Sequence, residues 1–253
     1  FEGDRKYGYD KVIMLAGGVG YAKRDESMKD IPVKGDRIVL LGGDNYRIGM
    51  GGGAVSSVDT GKYDNSIELN AVQRANPEMQ KRVYNAIRAL AEEKDDPIVS
   101  VHDHGAGGHL NCFSELVEES GGTIDISKLP IGDPTLSDME IVGNESQERM
   151  GIALGEKGAA HLKEIAERER APFYEVGEVT GDHRFTFADP VRKTSPIDLE
   201  ISDMLGSTPK TVMEDSTVDA TFKDVPSASG MNAIKLEEVI EKMLRLESVA
   251  CKD

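Results

Sequence analysis

Four short stretches of this chain combine residue types that chemistry on a polar ligand requires. The first is Gly49-Met50-Gly51-Gly52-Gly53-Ala54, followed by Val55, Ser56 and Ser57. At Gly51, Gly52 and Gly53 the backbone is open to torsions closed to other residues, so successive N–H groups can converge on an anion with no Cβ in the way. A plain turn accounts for the same run. No GK[ST] follows it, so it is not a Walker loop. The second stretch, Val101-His102-Asp103-His104-Gly105-Ala106-Gly107-Gly108-His109, runs from the end of an apolar strand into a helix. Ligands gather at such strand ends in open α/β sheets, and the free N–H groups of a helix start favour anions. Asp103 there suits a magnesium–phosphate role. With Cys112 added, His102, His104 and His109 can also be read as a zinc set, although no second pair at finger-like spacing exists. A third reading leaves the histidines as surface or hydrogen-bonded residues that hold nothing.

The third stretch, Asn144-Glu145-Ser146-Gln147-Glu148-Arg149, gathers amide, hydroxyl and carboxylate groups just before the apolar strand Met150 to Leu154. Such a set suits a ligand with hydroxyls and an amide, but without context it is an ordinary polar loop. In the fourth, Gln73-Arg74-Ala75-Asn76-Pro77, helix capping already explains Asn76 and Pro77, which leaves Gln73 over.

The elements that must position these residues alternate between strand and helix. Apolar strands running into glycine turns are expected at Lys11 to Gly20 and Arg37 to Gly43. From Pro77 a helix is expected to near Lys94, with Met79, Val83, Ala86, Ile87 and Leu90 on one face. Pro97 to Val101 reads as a strand, and Leu110, Phe113, Leu116 and Val117 as the stripe of a short helix stopped by Gly121-Gly122. Then come a strand over Met150 to Leu154, a helix over about Lys157 to Arg170, and strands over Phe173 to Val179 and His183 to Ala188, with a hairpin expected between Val176 and Phe187. The predicted class is α/β (α+β), a mixed sheet sandwiched by helices. Thr208 to Gly230 reads as a polar linker. Met231 to Leu246 reads as an amphipathic helix that docks on something.

The chain has 253 residues, 38% of them apolar, enough for a substantial core. Its 46 acidic and 30 basic residues give a formal charge of −16. That charge repels phosphate backbones and anionic lipid, so no nucleic-acid and no membrane partner is expected. Two cysteines without CxxC spacing point to a reducing, cytoplasmic compartment. The start at Phe1 rather than Met suggests a fragment.

Taken in order, these motifs resemble the large-type phosphoribosylformylglycinamidine synthases (formylglycinamide ribonucleotide amidotransferases) of the aminoimidazole-ribonucleotide-synthetase superfamily. The resemblance is carried by IMLAGGVG at Ile13 to Gly20, LGGDNYRIGMGGGAVSS at Leu41 to Ser57, VQRANPEMQ at Val72 to Gln80, HDHGAGG at His102 to Gly108, NESQERM at Asn144 to Met150, RERAPF at Arg168 to Phe173 and MLGSTPK at Met204 to Lys210. It implies a superfamily C-terminal-domain-like fold over residues 1–206, with 207–253 a linker and helix leading to the next domain. It also implies a part in a carbon–nitrogen ligase of purine biosynthesis. In that reaction ATP phosphorylates the formamide oxygen of formylglycinamide ribonucleotide, and glutamine-derived ammonia displaces phosphate. The family's substrate contacts carry over to Gln73, Glu145, Ser146 and Gln147, its magnesium ligand to Asp103, and phosphate contact to Gly51, Gly52 and Gly53. No catalytic residue carries over, because the family's ATP-loop and glutaminase domains have no counterpart here. The chain alone is therefore expected to be inactive. Other classes are a different ATP-binding superfamily member, of selenophosphate synthetase or thiamine-monophosphate kinase type, and a non-catalytic scaffold. NESQER and RERAP argue against the former.

Overall fold

A computed structural model describes residues 20–21, 24, 28–51, 55, 58, 61–71, 76–145, 148–206, 212 and 235–246. The chain divides into two compact units, Phe1–Thr208 and Pro209–Asp253. In the first unit the described elements are β1 (Arg37–Leu41), α1 (Asn65–Asn70), α2 (Pro77–Ala91), β2 (Ile98–Asp103), α3 (Gly108–Leu116), β3 (Gly122–Asp125), a 3-10 turn (Ile126–Lys128), α4 (Asp138–Val142), β4 (Met150–Leu154), α5 (Glu156–Glu169), β5 (Phe173–Val179), β6 (Arg184–Asp189), β7 (Thr194–Glu200) and α6 (Ile201–Leu205). The second unit holds α7 (Leu236–Leu244), none of whose residues is buried. No helix among the described residues is long and apolar enough to cross a membrane.

The strands form one seven-stranded mixed sheet in the order β2-β4-β1-β5-β3-β6-β7. Only the β3–β6 pairing is parallel. Because strand side chains alternate between faces, the buried run of β1 serves two cores. Val39 and Leu41 join Ile152 and Leu154 against Val83, Ala86 and Leu90 of α2 and Leu162 and Ile165 of α5. Ile38 and Leu40 face the other way, with Ala153 and Val176, onto Phe113 and Leu116 of α3 and onto Phe185 and Phe187. The expected sandwich is thus present, with β1 and β4 apolar on both faces because helices cover both.

Local chemistry explains the helix bounds. The Asn76 side chain caps α2 by accepting from Met79 N at 3.0 Å, with Pro77 at the first helical position. The buried stripe Val83, Ala86, Leu90 has helical spacing. Past its end, Asp96 accepts from Ile98 N at 2.9 Å and turns the chain into β2. Ser137 and Glu140 form a reciprocal capping box at α4.

Two expectations are corrected. β5 and β6 are not a hairpin, because β3 lies between them, antiparallel to β5 and parallel to β6. Their connection crosses the start of β3, where Thr180 N donates to Gly121 O and His183 N to Ser120 O, each at 3.1 Å. The true hairpin is β6–β7, with Phe187 opposite Ile197. β7 exposes every residue but the half-buried Ile197 and contains Pro196. It therefore lacks the apolar alternation that marks a strand, and only an edge tolerates its proline. The strand expected at Lys11 to Gly20 and the linker at Thr208 to Gly230 lie outside the described residues, apart from Gly20 and Val212.

Candidate functional site

β4 begins where β1 and β2 end: Met150 lies opposite both Leu41 and Asp103. The loops after β1, after β2 and before β4 therefore meet at one end of the sheet. These loops hold three of the four stretches singled out from the sequence.

Backbone pairing draws them close. Met50 and Asn144 form an antiparallel bridge, and Glu145 N donates to Gly49 O at 2.8 Å. Gly49 has φ +74, and a Cβ there would lie 2.0 Å from Glu145 O. Gly108, at φ +58, would meet Asn144 O at 2.4 Å. Side chains at either position would push the loops apart. The Gly107 amide then donates to Glu145 Oε1 at 3.2 Å, so the buried carboxylate is held against the N-terminal end of α3. Met50 N donates to Asn70 O at 2.8 Å, which sets the end of α1 beside the start of the glycine run.

Of the residues singled out, Glu145 is buried at this junction, Gly51 is exposed beside it at φ +64, and Asp103 closes β2 with its side chain 70% exposed. Gln73, Ser146, Gln147, Gly52 and Gly53 lie outside the described residues.

Beneath the loops runs a polar spine that reading by motif did not resolve. Arg149, fully buried, donates through Nε to Gly43 O (2.9 Å) and through Nη2 to Asp44 O (2.9 Å) and Asn144 Oδ1 (3.0 Å). Its Nη1 reaches Asn144 O and His109 Nε2, each at 3.3 Å. Asn144 in turn donates to Tyr46 O at 2.7 Å and Ile48 O at 2.6 Å. His109 Nε2 lies 3.1 Å from Asn45 Oδ1, and its Nδ1 lies 2.9 Å from His104 Nε2. Burial, and then the Arg149 charge, hold both His104 and His109 well below the usual histidine range, so both are neutral. A buried guanidinium must be surrounded by acceptors, but no local signal marks Arg149 as buried, since Arg37 likewise precedes an apolar run and stays partly exposed.

The zinc reading does not survive this geometry. Three of the four ring nitrogens of His104 and His109 are engaged with protein groups, and the Arg149 guanidinium beside His109 opposes a cation. His102 pairs with Glu115 and Asp103, and the Cys112 thiol donates to His102 O at 3.5 Å. Burial pushes that thiol well above its usual range. Among the described residues no cluster of three or more His, Cys, Asp or Glu could hold a metal. Of the candidate ligands in this stretch, Asp103 offers an exposed carboxylate. That fits magnesium, which binds through one or two carboxylates plus substrate phosphates and keeps several waters.

Comparison with known proteins sets this site in context. The family described as AIR synthase related protein, C-terminal domain, matches residues 33–189. A phosphoribosylformylglycinamidine synthase of Saccharomyces cerevisiae is 39% identical over 249 residues, 97% of this chain and 18% of that protein. The chain thus spans well under two thirds of that relative. A solved structure described as T. maritima PurL complexed with FGAR is 26% identical, with a TM-score of 0.63, over 78% of this chain and 31% of that one. Another, T. maritima PurL complexed with ATP, has a TM-score of 0.61 at 23% identity over 81% of this chain and 32% of that one, a likeness of fold.

Proposed function

Since the chain belongs to the AIR synthase related protein, C-terminal domain family, we propose that residues 1–206 are the substrate-side domain of a cytoplasmic phosphoribosylformylglycinamidine synthase. Residues 207–253 lead on from it. The reaction is the ATP-dependent conversion of formylglycinamide ribonucleotide to the amidine with glutamine-derived ammonia. The observation that carries this reading is the convergence of Gly49–Gly51, Gly107 and Asn144–Glu145 at one end of the sheet. The 39% identity to the yeast relative across nearly the whole chain supports it.

Phosphoryl transfer depends on positioning and on neutralising phosphate charge more than on covalent chemistry by the protein. Glu145, with Ser146, Gln147 and Gln73, would hold the ribonucleotide through hydrogen bonds that a wrong ligand leaves unpaired. Gly51, Gly52 and Gly53 would offer backbone N–H groups to phosphate. Asp103 would hold magnesium, whose charge when bound neutralises the phosphate oxygens. ATP-loop and glutaminase domains are further partners in this reading. The test is calorimetric titration of the chain with formylglycinamide ribonucleotide against an unrelated ribonucleotide monophosphate. Selective binding lost in Glu145→Ala supports the reading; equal affinity for both ligands refutes it.

A further inference from the structure

We propose that His109 is a positioning residue of this site: through Asn45, whose neighbours Asp44 and Tyr46 hold Arg149 and Asn144, it sets where Glu145 stands. The role rests on the proposed function only in taking Glu145 as a substrate contact.

His109 lies in the first turn of α3, two residues after Gly107, whose amide binds the Glu145 carboxylate. From there its ring reaches three other segments: His104 after β2, Asn45 after β1, and Arg149 before β4. Arg149 carries the connection back to Asn144, the neighbour of Glu145, through both the backbone oxygen and the side-chain oxygen of that residue. The circuit closes on itself, from His109 to Asn45, whose neighbours Asp44 and Tyr46 accept through their backbone oxygens from Arg149 and Asn144, then to Glu145, to Gly107, and back along the chain to His109. A guanidinium has five N–H donors in one plane. Here the oxygens Gly43 O, Asp44 O, Asn144 O and Asn144 Oδ1 accept from it, so the plane of Arg149 fixes these four together.

The direction of the hydrogen bonds follows from Asn45. Its Nδ2 donates to Pro130 O at 2.8 Å, so its Oδ1 faces His109 as an acceptor. His109 then donates from Nε2 and accepts at Nδ1 from His104 Nε2. A neutral ring with a donor on one edge and an acceptor on the other meets both demands, which neither lysine nor an apolar residue does. Parallel stacking on Phe113, with centroids 5.6 Å apart, fixes the ring plane.

Two conservative variants separate positioning from packing. In His109→Gln the amide end reaches about as far as Nε2 and can keep Asn45. In His109→Asn the amide stops near Nδ1 and keeps only His104. Both are made in the full-length protein and read in two ways: exchange of the Gly107 and Glu145 amide protons, and binding of formylglycinamide ribonucleotide. His109→Asn should speed exchange at those two amides about tenfold and weaken ribonucleotide binding about tenfold, while His109→Gln restores both to within about threefold. Equal losses in the two variants, or unchanged exchange in both, would overturn the proposal. Should His109→Asn not fold, Arg149→Lys takes its place, because it keeps the charge and loses the fork; unchanged exchange at the two amides there overturns the proposal equally. Faster exchange in a protein that never binds the ribonucleotide would leave the positioning role standing and sink the functional reading alone.

Discussion

The Gly107 amide donates to the Glu145 carboxylate across 3.2 Å, joining the turn ahead of α3 to the loop ahead of β4. Thirty-eight residues separate the two in sequence. The bond leaves a buried carboxylate anchored by backbone at one oxygen.

That anchoring predicts how Glu145 variants behave. Glu145→Gln keeps an acceptor for Gly107 and loses the charge, whereas Glu145→Ala loses both. A hydrogen bond to a charged group contributes about 1.5–3 kcal/mol, which is a weakening on the order of 10- to 100-fold in ribonucleotide affinity for Glu145→Ala. Calorimetry on the folded variants checks it, with Glu145→Gln expected in between. Unchanged affinity in Glu145→Ala would remove this residue from the site.

Gly49 and Gly51 both have positive φ, yet only Gly49 sits against Glu145. A Cβ at Gly49 would lie 2.0 Å from Glu145 O, and one at Gly51 would meet nothing within 4 Å. Gly49→Ala should therefore cost at least about 2 kcal/mol more than Gly51→Ala, since left-handed strain is common to both and the backbone clash is not. In a chain of this size that is a difference of about 4–8 °C in Tm, measured by thermal unfolding. Equal Tm values would mean the loops separate freely.

These contacts were unevenly legible in the sequence. The runs RIVLL and MGIAL disclose central strands because burial on both faces leaves no room for polar residues. The strand TSPIDLE discloses little, since an exposed edge imposes no such pattern. GTID is too short to carry a period, so β3 and its insertion between β5 and β6 stayed hidden. Arg149 illustrates a different limit. Its Nε bond to Gly43 O spans 106 residues, and no local spacing encodes an acceptor that distant. Asp103 and Glu145 were found as types suited to chemistry, but that one is exposed and the other buried follows only from the packing of α3.

Stability should fall in acid on account of His104 and His109. Both have folded pKa values lowered well below the ordinary histidine value, chiefly by burial and then by Arg149. The sign follows directly: below about pH 6.5 the unfolded chain binds protons that the folded one refuses. Their contribution is complete above that pH and is lost as pH falls toward the folded values, by up to about 1.4 kcal/mol per pH unit for each histidine. Denaturant midpoints at pH 7.5 and 5.5 should differ less in His109→Gln than in the unchanged chain. An identical difference in the two would mean the histidine pair does not set the acid limb.

The chain by itself should form no amidine, even with ATP, magnesium, ammonium and formylglycinamide ribonucleotide supplied together. In-line transfer of a phosphoryl group needs nucleotide, metal and acceptor oxygen held in one geometry, and such positioning accounts for much of the rate. Among the described residues Asp103 is the sole exposed carboxylate singled out at the loop junction. The chain also covers only 18% of the yeast relative, so most of that protein's length has no counterpart in it. Ammonium in place of glutamine confines the assay to the synthetase step, so a lack of glutaminase chemistry does not decide the outcome. Phosphate release and amidine formation should stay at the background rate, while ribonucleotide binding remains detectable by calorimetry. Turnover well above background that disappears in Asp103→Asn would place the catalytic centre within this chain and show that it suffices for the reaction.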